Sequence, residues 1–333
     1  MNQIELVKTI LKNKPFMPMQ ESAQIFAPSN IALVKYWGKR NKELNLPMTS
    51  SLSISLGNKG ATTSVRYHEE KHDQICLNDN PLSLNATFSQ RFLNFLNLFR
   101  PNKNTFFHID TYCNIPIAAG LASSACSYAS LVCALDQFYQ WKLNHKQLSI
   151  LARLGSGSAC RSLWQGFVEW QYGNDENGFD SYGCPLPQKW PELQLGLLIF
   201  HSEPKSISSR EAMQHTVDTS TLYQYWSHIA ETDLIKIKQA INEKNFTLLG
   251  QTAENNALTM HAIMLTAKPP IMYSTSETMN AMKKIWKLRK EGLEIYFTQD
   301  AGPNLKLLFL KNDIHDVQTA FPTVDIIEPF AYE

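Results

Sequence analysis

The stretch "PIAAGLASSACSYASL", residues 116–131, limits what this chain can fold into more than any other part of it. It follows "FFHIDTYCNIP", whose alternation predicts a strand, and it leads into an apolar helical pattern running to about Trp141. At the junction stand Gly120, the adjacent pair Ser123 and Ser124, and small side chains at Ala118, Ala119, Ala122 and Ala125. Such residues forgo packing surface and let a partner come close to the backbone. Amides at a helix start are unpaired donors with partial positive charge, so a phosphate fits there, and serine hydroxyls can add to phosphate or to a metal it carries. A tightly packed helix start with a serine cap would use the same residues, so this stretch alone leaves both readings open.

Any anion site must be local. The chain has 31 basic and 30 acidic residues among 333, which gives no general attraction to nucleic acid or an anionic membrane. That length suffices for two fused lobes, each with its own core. The six cysteines, at 76, 113, 126, 133, 160 and 184, form no CxxC pair, and Cys126, Cys133 and Cys160 lie in apolar contexts. The pattern predicts reduced cysteines in the cytoplasm, with neither a disulfide framework nor a zinc site. "MNQIELVKTILKNKPFMPMQ" lacks a continuous apolar run and predicts a short extra helix or added tail over residues 1–22, not a signal peptide. No run reaches the length of a membrane span.

Residues 61–79, "ATTSVRYHEEKHDQICLND", read as a hairpin. Residues 145–170 predict a helix, a glycine-serine break, a second short helix and a strand, and the polar residues 171–183 an exposed loop. From "LQLGLLIF" onward three long helical patterns cover 222–243, 246–267 and 274–290, with Pro269 and Pro270 ending the second. Two strands, "LEIYFTQ" and "LKLLFL", flank "DAGPN", and a last helix and strand follow. The change of texture places a lobe boundary near residue 190, giving divisions at 1–22, 23–190 and 191–333.

His68-Glu69-Glu70-Lys71-His72 matches HExxH, but that zinc chemistry needs both histidines on one helical face, and here they fall between β-patterned segments. GxxxxGK[ST] and GxGxxG are absent. "PIAAGLASSA" instead resembles the phosphate loop of the GHMP kinase superfamily. Further segments narrow the resemblance: "APSNIALVKYWGKRNKELNLPMTSSLSISL" (27–56), "GSGSACRSLWQGFVEW" (155–170), "SISSREAM" (206–213) and "FTQDAGPN" (297–304) are similar, in order and spacing, to the signatures of the mevalonate diphosphate decarboxylases. The likeness runs from about residue 23 to the C-terminus. Gln165, where a small residue is commoner, and Gln74, where some relatives have arginine, depart from it.

The resemblance implies ATP-dependent decarboxylation of mevalonate 5-diphosphate, with Gly120, Leu121, Ala122, Ser123 and Ser124 on ATP. Magnesium would ride on the phosphates, with no dedicated protein cage and Ser124 as its one candidate hydroxyl. Lys39 and Tyr36 would grip the diphosphate while Lys35 faces the transferring phosphoryl group; solvated loop lysines are the plainer alternative, which the apolar setting "IALVKYW" disfavours. Ser156 and Ser158, ahead of a short helix, would form a second anion pocket, with Arg161 holding the substrate carboxylate; a helix cap with a structural arginine reads the same. Ser209 and Arg210 fall on the substrate by the same pattern. Asp300, at a strand end before a glycine turn, would take or orient the proton of the tertiary hydroxyl, though aspartate is also a common turn starter.

The fold implied is the GHMP kinase fold: an α/β N-terminal lobe like domain 2 of ribosomal protein S5, then a ferredoxin-like α+β lobe, with the site between them. Partners would be the small molecules, with no nucleic acid or membrane, and a homodimer is frequent in the family. A sibling acting on mevalonate or its monophosphate is the near alternative, and a non-catalytic sensor the distant one; Asp300 with Lys35 and Lys39 disfavours the siblings, and an undamaged phosphate loop the sensor.

Overall fold

Two stretches of alternating or wholly apolar sequence each make a sheet, and in a computed structural model the sheets share one core. The structure describes residues 1–18, 20–85, 87–115, 123–200 and 207–331, apart from the side chains of Thr87, Phe88 and Ser123. The first sheet is built from β1 (Ser22–Val34), β4 (Ser51–Tyr67), β5 (Gln74–Leu77), β6 (Asn80–Pro81), β7 (Phe107–Cys113), β8 (Phe167–Trp170) and β9 (Gly183–Pro185). Its order is β6-β5-β7-β4-β8-β9, with β1 also on β4; β2 (Lys39–Asn41) and β3 (Leu46–Pro47) form a separate small ribbon. Helices α1 (Gln3–Ile10), α2 (Thr87–Leu96), α3 (Ser123–Tyr139) and α4 (His145–Gly155) supply the apolar faces that pack with it, including Phe95, Leu131, Leu135 and Leu151.

Two local expectations change, and at the N-terminus the short-helix alternative holds. The hairpin over 61–79 is not formed: β7 pairs with β4 over Ala61–Tyr67 and β5 joins the far side of β7 in parallel. Phe107, Ile109 and Cys113 alternate inward on β7, so this strand gives the exposed edge of β4 a better buried partner than β5 does. Residues 68–73 carry the chain across it, and His68 Nδ1 meets the His72 carbonyl at 2.7 Å in a loop that has no helical face. The first residues are not a loose tail: Asn2 and Glu5 cap α1 reciprocally, and Leu6, Val7, Ile10 and Leu11 are buried. Each such burial stabilises by roughly 1.5–3 kcal/mol. Residues 171–183 are half-buried instead of exposed, because Asp180 and Asp175 accept the loop's own amides while Arg153 donates to the carbonyls of Gly178 and Ser181, and Arg40 to that of Gly173.

The second sheet contains β10 (Leu193–Leu198), β11 (Tyr296–Gln299), β12 (Leu305–Leu310) and β13 (Asp325–Ile327), in the order β11-β12-β10-β13. With it go α5 (Ser209–Thr219), α6 (Trp226–Glu243), α7 (Phe246–Leu265), α8 (Ser276–Lys290) and α9 (Ile314–Ala320), so the three long helical patterns appear where periodicity puts them. Ile31, Leu33, Trp37 and Leu52 from the first sheet meet Trp226, Ile237, Leu249 and Met260 in one core. The end of β1 is therefore clamped between the two halves. Register shifts at Pro28/Asn30 and Ala32/Val34 mark bulges in β1, which re-aim the residues that follow.

Candidate active site

Lys35 leaves β1 inside this clamp. Its backbone amide donates to Asn256 Oδ1 at 2.8 Å, and the Asn256 amide donates to Asp233 Oδ2 at 2.9 Å, so α6 and α7 fix the start of the segment. Its Nζ donates to the Ala32 carbonyl and to Asp300 Oδ1, each at 2.7 Å. Asp300 follows β11 and enters a tight turn in which the Gly302 amide donates to its carbonyl at 2.7 Å. His261 of α7 makes a second contact to that carbonyl, Nε2 at 3.1 Å. On the other side Lys306 of β12 brings Nζ to 3.1 Å from Asp300 Oδ2. One carboxylate thus sits between two lysines whose side chains are 2% and 0% exposed, while its own is 21% exposed.

Burial disfavours charge on Asp300 and Lys35, but the cations win at the carboxyl. Against its own burial, the charges of Lys306 and Lys35 hold Asp300 well below the usual carboxylate range, so it is ionised at working pH. Burial, only partly offset by Asp300, pushes Lys35 down to about 8. Burial likewise brings His261 down to about 4, so it is a neutral donor that helps fix the Asp300 backbone. Oδ2 is itself a buried atom, and Lys306 holds it as an ion pair.

A different arrangement lies beyond Tyr36. Lys39 Nζ donates to Asn45 Oδ1 at 2.6 Å, and Asn45 is tied to the carbonyls of Arg153 and Leu154. Burial, then the neighbouring charges of Arg210 and Lys42, bring Lys39 down to about 8. Arg210, in the first turn of α5, donates to the Gly155 carbonyl at 3.3 Å. Burial holds the Tyr36 phenol protonated, and its hydroxyl has no hydrogen-bond partner. The ring packs on Trp170 at 4.6 Å, a contact that Gly157 permits, since a Cβ there would lie 2.8 Å from both rings. Ser209 is the first residue of α5, behind its cap Ser208.

Arg161 is buried, with Nη1 on Ser51 Oγ, Nε 3.3 Å from Asn30 Oδ1 and the guanidinium 5.9 Å from the Trp170 ring. It lies within electrostatic reach of Asp300 and Lys35. The helix expected after Ser158 is one 3-10 turn, Gly157–Arg161, too short for a helix dipole, so hydroxyls must carry that pocket. Ser124 Oγ is 3.3 Å from Ser156 Oγ, which is 3.4 Å from Ser158 Oγ, and Asn30 donates to the Ser158 carbonyl at 3.3 Å. This hydroxyl row leads from the start of α3 towards Arg161. Gly120, Leu121 and Ala122 lie outside the described residues, as does the side chain of Ser123.

Lys306, His261, Asn256 and Asp233 escape a motif-based reading. The lone lysine in "LKLLFL" was the available signal, because an unpaired ammonium does not belong in an apolar strand. Gln165 bridges Ser55 and the Gly57 carbonyl, and Gln74 contacts Cys76 Sγ at 3.7 Å. Cys76, His108 and Asp110 bring ligand atoms together, but Arg66 lies 3.0 Å from His108 Nδ1 and His108 Nε2 lies 3.0 Å from Asp110, which closes a hydrogen-bond relay with a fixed cation in it. None of the six cysteines, all of them among the described residues, is joined in a disulfide.

A family profile for the diphosphomevalonate decarboxylase-like N-terminal domain matches residues 27–183, and one for the mevalonate 5-diphosphate decarboxylase C-terminal domain matches 196–328. Diphosphomevalonate decarboxylase from Debaryomyces hansenii is 36% identical over 303 residues, covering 85% of this chain and 78% of that protein. The chain belongs to the diphosphomevalonate decarboxylase family. Among solved structures, mevalonate diphosphate decarboxylase from Staphylococcus aureus superposes with a TM-score of 0.86 at 34% identity, covering 93% of this chain and 96% of that one. MDDEF in complex with MVAPP, AMPPCP and magnesium gives 0.86 at 37% identity, covering 92% and 95%. The fold is therefore the two-lobed GHMP kinase fold.

Proposed function

We propose that this chain is an ATP-dependent decarboxylase of mevalonate 5-diphosphate. The observation that carries the reading is the Asp300 carboxylate, kept ionised between Lys35 and Lys306, beside a basic pocket in which Lys39 and Arg210 have no carboxylate partner among the described residues. Lys39, Arg210 and Tyr36 bind the diphosphate, with Ser209 at the same helix start. Arg161, with Ser156 and Ser158 beside it, orients the substrate carboxylate. Asp300 accepts the tertiary hydroxyl proton as that oxygen attacks the γ-phosphorus of ATP and ADP departs, while Lys35 faces the phosphoryl oxygens. The bond between the tertiary carbon and the oxygen now carrying the phosphoryl group then breaks, with its electron pair leaving on phosphate. The bond to the carboxylate breaks in turn, and its pair becomes the alkene of isopentenyl diphosphate as carbon dioxide leaves. Asp300 gives up its proton to solvent.

ATP lies along residues 120–124, and the exposed hydroxyl of Ser124 can join the phosphates around magnesium, whose charge offsets theirs when bound. The same reading divides the chain at 1–22, 23–190 and 191–333; its support is that β9 ends at Pro185 and β10 begins at Leu193. It places the protein in the cytoplasm, as a homodimer acting on small molecules. No described helix is long and apolar enough to cross a membrane. The test is release of ADP and carbon dioxide from ATP with mevalonate 5-diphosphate, mevalonate or mevalonate 5-phosphate. Release with the diphosphate is expected; release only with another substrate, or none, would overturn the reading.

A further inference from the structure

We propose that Lys306 is a positioning residue for the transfer step: it fixes the second oxygen of Asp300 so that the carboxylate faces the substrate hydroxyl. The inference rests on the function proposed above and adds a residue that no motif marks. Lys306 lies mid-strand in β12, fully buried, where Thr298 pairs with it across the sheet on β11. Its Nζ is 3.1 Å from Asp300 Oδ2 and 3.4 Å from the Asn304 carbonyl, so both ends of the 300–304 turn reach one ammonium. Lys35 alone would leave the carboxyl free to turn about its single bonded oxygen. With a cation on each oxygen the plane of the carboxylate is set. Among the described residues, the charged groups around Asp300 are Lys35 after β1, Lys306 on β12 and Arg161 in the 3-10 turn, with neutral His261 on α7 behind it. Removing Lys306 leaves the carboxylate ionised by fewer cations, which moves its titration upward.

The test compares K306M, K306Q and K306R with the wild type. K306M and K306Q should lower kcat by about 10- to 100-fold with KM for mevalonate 5-diphosphate changed less than about threefold, and K306R should retain most activity. The acid limb of the rate profile should move to higher pH in K306M and K306Q. Carboxyl 13C NMR of aspartate-labelled protein, with Asp300 assigned through D300N, should show its titration rising in both variants. An unmoved titration and unchanged kcat would overturn the proposal. So would K306R losing as much as K306M with no change in the Asp300 signal, the pattern of a packing role. K306Q carries the comparison if K306M does not fold. A wild type without carbon dioxide release would defeat the assigned activity instead, and the NMR titration would still decide whether Lys306 governs Asp300.

Discussion

The two cationic regions of this protein handle burial in opposite ways. Around Asp300, positive and negative charges satisfy one another: Lys35 and Lys306 each take one oxygen of the same carboxylate. Around Tyr36 they do not. Among the described residues Lys39 has only the neutral Asn45 as its hydrogen-bond partner, Arg210 only a backbone carbonyl, and the Tyr36 hydroxyl none. A closed ion cluster has little to gain from a further anion and suits work on a reacting atom. An open one is a binding site whose counter-charge arrives with the ligand. On the function proposed above, the first region serves turnover and the second substrate grip.

Breaking the closed cluster should give the largest effect. D300N removes the proton acceptor and leaves two buried lysines unpaired, so kcat should fall by about 10³-fold while calorimetric affinity for mevalonate 5-diphosphate changes far less. A loss confined to KM would reverse the assignment. Breaking the open region should do the opposite: K39M combined with R210M should raise KM by roughly 100-fold with kcat within about threefold, as titration calorimetry and steady-state rates would show.

Proton dependence sharpens the comparison. Lys35 and Lys39 are both brought by burial to about 8, so each loses its charge as pH rises through that value. The kcat/KM profile, which reports free enzyme, should fall above about pH 8 through both lysines. Bound diphosphate raises Lys39, so the kcat profile should retain only the Lys35 limb. A kcat profile flat through pH 10 would remove Lys35 from the step. The smallest effect belongs to Y36F: with no protein partner to lose, its melting temperature should stay unchanged while KM rises a few-fold, about 1 kcal/mol. A destabilised Y36F would place the hydroxyl in the fold and not in the site.

Much of the site was legible because its residues sit in segments where chemistry overrides packing. Gly157 is small where two aromatic rings must meet, and Asp300 ends a strand at a glycine turn. What escaped was long-range. Nothing near Lys306 in sequence reveals that β12 returns it to Asp300, and nothing near Asn256 shows that α7 lays it against the amide of Lys35. The misread hairpin has the same origin: alternation marks strands, but pairing is decided by which neighbour buries the edge, and β7 begins at Phe107, forty residues after β4 ends at Tyr67.

A crystal structure with mevalonate 5-diphosphate bound tests this division of labour most directly. The account places the diphosphate on Lys39, Arg210 and the Tyr36 hydroxyl, with the tertiary hydroxyl in hydrogen-bond contact with the Asp300 carboxylate. A diphosphate seated on Lys35 and Lys306, with the hydroxyl turned away from Asp300, would contradict it.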